Sequence, residues 1–90
     1  MNNTDHYTLS PAQIVMYTTQ TCSDCVRVKK YFEANNIPHL LIGLEGDEKA
    51  TDFVIQVNNG FRTVPTIVFP DGSVLVEPNW EQLNDKFSGS

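Results

Sequence analysis

The sequence predicts a single α/β domain, a mixed four-stranded sheet flanked by three helices in the order β-α-β-α-β-β-α. Three observations carry this expectation. Short β-branched runs alternate with longer segments of helical period. Cap and turn residues stand at nearly every junction between them. The chain has ninety residues, room for one hydrophobic core and no more. A helix linking the first two strands makes them parallel and right-handed, whereas a tight turn between the last two makes them antiparallel, so the sheet is mixed.

Residues 1–11 are polar and without periodicity and read as a loose arm, with the folded domain at 12–87. Gln13 to Thr18 is rich in β-branched and aromatic residues and forms the first strand, which Thr19-Gln20-Thr21 breaks just before Cys22. From Ser23 to Asn35 the apolar positions Cys25, Val28 and Phe32 recur on one helical stripe. Asn35-Asn36 stops that helix through residues that tolerate the left-handed conformation, and Pro38 disfavours helix at Ile37. His39 to Leu44 is the second strand.

Asp47 caps a second helix whose stripe is Ala50, Phe53, Val54 and Val57, and Asn58-Asn59-Gly60 ends it. Thr66 to Phe69 and Ser73 to Val76 pair as a hairpin across the turn Pro70-Asp71-Gly72-Ser73. Asn79 and Gln82 stand in capping-box spacing before a last helix with Trp80, Leu83 and Phe87 on one face. Tyr17, Trp80 and the phenylalanines are expected in the core. Residues 88–90 are expected to fray.

Composition narrows the function. Eleven acidic against six basic residues give a formal net charge of −5, which repels nucleic acid and anionic lipid. No apolar run is long enough to span a bilayer and the first ten residues are polar, so neither a membrane anchor nor a signal peptide is expected. Two cysteines three positions apart cannot build the multi-bridge framework of a small secreted domain. A reducing cytoplasm, where such a pair cycles, is the expected setting.

The chemistry expected of Cys22-Ser23-Asp24-Cys25 follows from its place at a strand-to-helix junction. A thiol attacks a disulfide as its thiolate. Unpaired N–H groups and the positive end of the helix dipole face the sulfur of Cys22, making it the nucleophile. Cys25, one turn further in on the buried stripe, is the resolving thiol that displaces product from Cys22. Ser23 and Asp24 tune the pair. An acid suits a first helical turn in any case, but a carboxylate roughly 6–8 Å from Cys22 would also oppose its thiolate by about 1 kcal/mol.

Zinc needs about four ligands, and the sequence offers no second cysteine pair, with His6 and His39 far apart; no metal site is expected. A static disulfide would close too small a loop to constrain the unfolded chain much. A non-catalytic module binding an iron–sulfur cluster or another metal through the same thiols is the alternative of another class.

Val15-Met16-Tyr17-Thr18-Thr19 leading into Cys22-x-x-Cys25, then Arg62-Thr63-Val64-Pro65-Thr66, then Asp71-Gly72-Ser73 resemble the glutaredoxin family, and within it the mycoredoxin-like branch. The likeness runs from about Gln13 to Phe87. It implies a thioredoxin-like fold and a cis proline at Pro65 beside the nucleophilic sulfur, with the backbone of Val64 pairing with substrate. It also implies substrate contacts from Arg62, Thr63, Asp71, Gly72 and Ser73. Arg27, Lys30 and Arg62 are cations that could collect a carboxylate; Arg62, just before the proline, is the better placed, while Lys29 and Lys30 read as solvated surface.

The resemblance implies reduction of mixed disulfides of proteins and small thiols, with no bound cofactor, the Cys22–Cys25 pair as redox centre and a low-molecular-weight thiol as co-substrate. Thr19 stands where many glutathione-dependent glutaredoxins have lysine, and Asp71-Gly72-Ser73-Val74 replaces their Gly-Gly-x-Asp stretch. Mycothiol is thereby favoured over glutathione. The rival within the enzyme class is a dithiol donor recycled by thioredoxin reductase, a flavoprotein partner, for example toward ribonucleotide reductase. A monomer is expected.

Overall fold

The computed structural model describes residues 11–88. The expected arm lies outside them except for Pro11, which is buried, and of the frayed end only Ser88 is described. The elements are β1 (Ile14–Thr18), α1 (Ser23–Ala34), β2 (His39–Gly43), α2 (Glu48–Val57), β3 (Thr66–Val68), β4 (Val74–Val76) and α3 (Trp80–Ser88). Every element anticipated from the sequence is present in that order, each strand slightly shorter than expected.

The sheet runs β2-β1-β3-β4. β1 pairs with β2 in parallel and with β3 in antiparallel sense, and β3 pairs with β4 as an antiparallel hairpin. Because β1 is central and both faces of the sheet are covered, Val15, Met16 and Tyr17 are all buried. A strand buried on two faces reads as a continuous apolar run. Side chains still alternate: Val15 and Tyr17 pack with Ile42, Leu44, Ala50, Val54 and Val68 under α2. Met16 packs with Val28, Phe32, Ile67, Phe69 and Leu83 under α1 and α3. Full burial of side chains such as Phe32 and Leu83 contributes about 1.5–3 kcal/mol each.

The helix ends follow local chemistry. The Asp47 carboxylate accepts the Ala50 N–H at 2.9 Å, and Asn79 and Gln82 exchange hydrogen bonds of 2.8 and 2.9 Å as a capping box. Asn36, Asn59 and Gly60 take positive φ just past α1 and α2, as expected of residues that accept the left-handed conformation.

One packing expectation is corrected. Phe61 is 70% and Trp80 48% exposed, and Phe87 also reaches the surface. Phe61 stands in the loop after α2, where no element covers it. On α3 Leu83 is buried in the core, Trp80 flanks Tyr31 of α1 with ring centroids 5.3 Å apart, and Phe87, though partly exposed, packs on Tyr31, Phe32 and Phe69 with centroids 6.0, 6.0 and 5.8 Å away.

Candidate active site

The topology brings four segments to one end of the sheet. The C-terminal ends of β1 and β2 point the same way, and the antiparallel β3 begins where β1 finishes, since Tyr17 faces Thr66. The cysteine loop, the loop after β2, the approach to Pro65 and the exit of β4 therefore share that end.

Cys22 is the N-cap of α1, with extended backbone, and its Sγ accepts the Cys25 N–H at 3.0 Å. Its carbonyl receives the Val26 N–H, the first turn of the helix. The strand must break here because Thr19-Gln20-Thr21 leaves the ladder, and the helix begins because the capping atom, here sulfur, satisfies an otherwise orphan N–H. Cys22 and Cys25 are joined by a disulfide with Cα atoms 5.2 Å apart, ordinary spacing for such a bond. Cys22 is half-buried, whereas Cys25 is 3% exposed beneath it. Asp24, between them, forms a 3.2 Å ion pair with Arg27, so its charge is partly offset on its own helix, and Arg27 is engaged. Ser23 is exposed at the first helical position.

On the other side of this end the Val64–Pro65 peptide bond is cis. The loop is pinned from below: the buried Thr66 hydroxyl donates to the Thr63 carbonyl at 2.7 Å and accepts from Asn58 Nδ2 at 3.0 Å. The Pro65 carbonyl accepts the Glu77 N–H at 2.9 Å, drawing the segment after β4 alongside. Val64 is half-buried against the core, and Arg62 is exposed.

The structure corrects the placement of Asp71, Gly72 and Ser73. They form the β3–β4 turn, and β3 runs from Pro65 to that turn, so they lie at the opposite end of the sheet from Cys22 and Pro65. There they are occupied with one another and with α3. The Asp71 carboxylate accepts from the Ser73 N–H and hydroxyl and binds Lys86 Nζ at 2.7 Å. Lys86 also donates to the Ser73 hydroxyl and lies 4.7 Å from the Phe69 ring centroid. Lys86, then the Ser73 hydroxyl and N–H, hold the Asp71 carboxyl well below the usual carboxylate range.

Sequence reasoning missed Glu45. Its carboxylate accepts the Gln20 N–H at 2.8 Å, tying the loop after β2 to the loop before Cys22. That N–H first, then Glu45's own, with a smaller contribution from Arg62, lower its pKa. The available signal was position: the residues just beyond the carboxyl ends of adjacent parallel strands border the site in α/β sheets. The hydrogen bond from Asn58 to Thr66 was likewise not foreseen: Asn58 was read as a helix stop, and Thr66 as a strand residue and the last position of the motif around Pro65. Among the described residues no group of three or more His, Cys, Asp or Glu is placed to hold a metal ion.

The glutaredoxin family model matches residues 14–75, from β1 into β4. The chain belongs to the glutaredoxin family. A relative in Mycobacterium tuberculosis that carries the glutaredoxin name is 40% identical over 75 residues, 83% of this chain and 89% of its own. Mycoredoxin 1 of Corynebacterium glutamicum is 31% identical over 67 residues, 74% of this chain and 82% of its own. For the fold, the crystal structure of a glutaredoxin from Archaeoglobus fulgidus superposes with a TM-score of 0.72 at 24% identity, covering 87% of this chain and 88% of that one. This glutaredoxin has the thioredoxin-like architecture and is a thiol–disulfide oxidoreductase.

Proposed function

We propose that this glutaredoxin reduces mixed disulfides between proteins and a low-molecular-weight thiol, with Cys22 as the attacking sulfur, and that the preferred thiol is of the mycothiol type. The observation that carries the reading is the asymmetry of the pair: Cys22 is the partly accessible N-cap of α1 and Cys25 is covered beneath it. In the reduced protein, the N–H groups at the mouth of α1 favour a thiolate on Cys22.

That thiolate attacks the small-thiol sulfur of the mixed disulfide. The protein sulfur leaves with the bonding pair and takes a proton, and Cys22 is left bonded to the small thiol. A second small thiolate then attacks that sulfur, releasing the symmetric small-molecule disulfide and restoring the Cys22 thiolate. Alternatively Cys25 loses its proton and attacks Cys22, releasing the small thiol and leaving the Cys22–Cys25 disulfide, which two further thiols or a flavoprotein reductase reduce with two electrons. The backbone of Thr63 and Val64, beside the cis Val64–Pro65 bond at the cysteine end of the sheet, is placed to align the substrate chain.

Mycothiol is favoured over glutathione by Thr19 in place of lysine and by the similarity to a protein named mycoredoxin. A reducing cytoplasm fits the dithiol cycle. The test presents reduced mycothiol, reduced glutathione, and thioredoxin reductase with NADPH separately to the oxidised protein and counts free thiols over time. Fastest recovery with mycothiol is expected; faster recovery with either alternative would overturn this choice of electron source.

A further inference from the structure

Cys25 borders a second opening, on the flank away from Pro65. Pro65 leads into β3, whereas β2 lies on the other side of β1. On that side is a cleft of about 190 Å³ whose wall includes Cys25, Val26 and Lys29 of α1, Thr18 and Thr19 at the end of β1, and Leu41 of β2. Lys29 supplies the charge of that wall. Cys25 is 3% exposed and Lys29 is exposed. Four residues apart on one helix, they are neighbours on its surface, with Cβ atoms about 5–6 Å apart. Among the described residues the ion pairs are Asp24 with Arg27 and Asp71 with Lys86, so no carboxylate draws the Lys29 ammonium away. Other titratable groups near the cysteines are engaged elsewhere or outside the cleft. Asp24 and Arg27 bind each other, Glu45 holds the Gln20 N–H, and Arg62 is exposed before Pro65. His39 of β2 packs on the Phe32 ring, and Tyr17 of β1 lies on the opposite face of the sheet.

We infer that Lys29 is a positioning residue for the second chemical step: at the β2-side cleft its ammonium stabilises the Cys25 thiolate that resolves the mixed disulfide on Cys22. The inference deepens the proposed function and rests on its reading that Cys22 attacks and Cys25 resolves. Burial opposes ionisation of a thiol, and the helix dipole acts mainly within the first turn, where Cys22 is the cap. A cation one turn further along favours the charged form of Cys25. Cys25 gives its proton to solvent and, as the thiolate, attacks the Cys22 sulfur. The bond between the two cysteines forms, the bond from Cys22 to the small thiol breaks, and the small thiolate leaves with the electron pair and takes up a proton.

The test mixes the fully reduced protein with one equivalent of dithiodipyridine, a neutral disulfide, and follows release of its absorbing thiopyridone product by stopped flow. Attack by Cys22 gives a first release whose rate depends on concentration. Attack by Cys25 on the resulting mixed disulfide gives a second release whose rate does not. Lys29→Gln should slow the second release at neutral pH by about twofold to fourfold. That is the thiolate gained from one charge roughly 6 Å away at a wet surface, less the nucleophilicity lost with it. The first release should change less, because Cys22 lies a further turn from the ammonium.

The rate–pH profile of the second release should move to higher pH in Lys29→Gln, so that the two proteins converge in alkaline solution, where Cys25 ionises without help. Lys29→Arg, which keeps the charge, should restore the rate, and added salt should slow the unaltered protein toward Lys29→Gln. The inference is overturned if Lys29→Gln leaves the second release unchanged, if it slows that release equally at every pH, or if Lys29→Arg is as slow as Lys29→Gln. A concentration-dependent first release that persists in Cys22→Ser would instead overturn the reading of Cys22 as the attacking sulfur.

Discussion

The two ends of the sheet are built on opposite plans. At the hairpin end, Asp71, Ser73 and Lys86 satisfy one another and clamp α3 to the turn. At the cysteine end, a half-buried sulfur, a cis Val64–Pro65 bond and an exposed Arg62 meet where four loops converge, held by single hydrogen bonds such as Gln20 to Glu45. Polar groups engaged with each other stabilise a fold, whereas groups facing outward from a pinned backbone are available to a substrate. Asp71, Gly72 and Ser73 form a motif-like polar run and yet belong to the end of β3 remote from the cysteines.

The largest effect is expected at the sulfurs. Cys22→Ser is expected to reduce turnover of every mixed disulfide to the uncatalysed background. Cys25→Ser should keep reduction of small-thiol mixed disulfides within about tenfold, because the monothiol route needs only Cys22. Steady-state assays of both variants decide it, and full activity in Cys22→Ser would refute the mechanism.

At the other end, Asp71→Asn should change turnover by less than about twofold, as expected of a surface change remote from the chemistry, while lowering the thermal midpoint at neutral pH. The sign of the pH effect follows from the depressed pKa of Asp71 in the folded protein. Its contribution to stability is complete above the ordinary carboxylate value of about 4 and is lost as pH falls through the lower folded value. The gap in midpoint between the two proteins should therefore close on strong acidification. A gap that widens there would contradict the clamp.

The smallest effect is expected at Asp24. Because Arg27 already engages it, Asp24→Asn should speed alkylation of Cys22 at neutral pH by no more than about twofold. A much larger acceleration would show that Asp24 governs the thiolate and that Arg27 does not shield it.

Much of this arrangement was legible in the chain. The β1-α1-β2 crossover, the cap residues Asp47 and Asn79, and the cysteine pair at the start of α1 follow from local pattern, and local chemistry is what enforces them. What depended on tertiary pairing was not legible. Nothing local in Asp71-Gly72-Ser73 tells which end of β3 faces the cysteines; that is settled by the antiparallel pairing of β3 with β1. Glu45 is one of eleven acids, distinguished only by the loop it reaches across to. Phe61 and Trp80 satisfied an apolar pattern, but their neighbours in space leave them uncovered.

The central claim is that the two thiols differ because one caps a helix in partial contact with solvent and the other lies under it. Limiting iodoacetamide applied to the fully reduced protein at neutral pH, followed by peptide mass spectrometry, tests this directly. The expected result is carboxamidomethylation of Cys22 well ahead of Cys25; equal labelling, or Cys25 first, would contradict it.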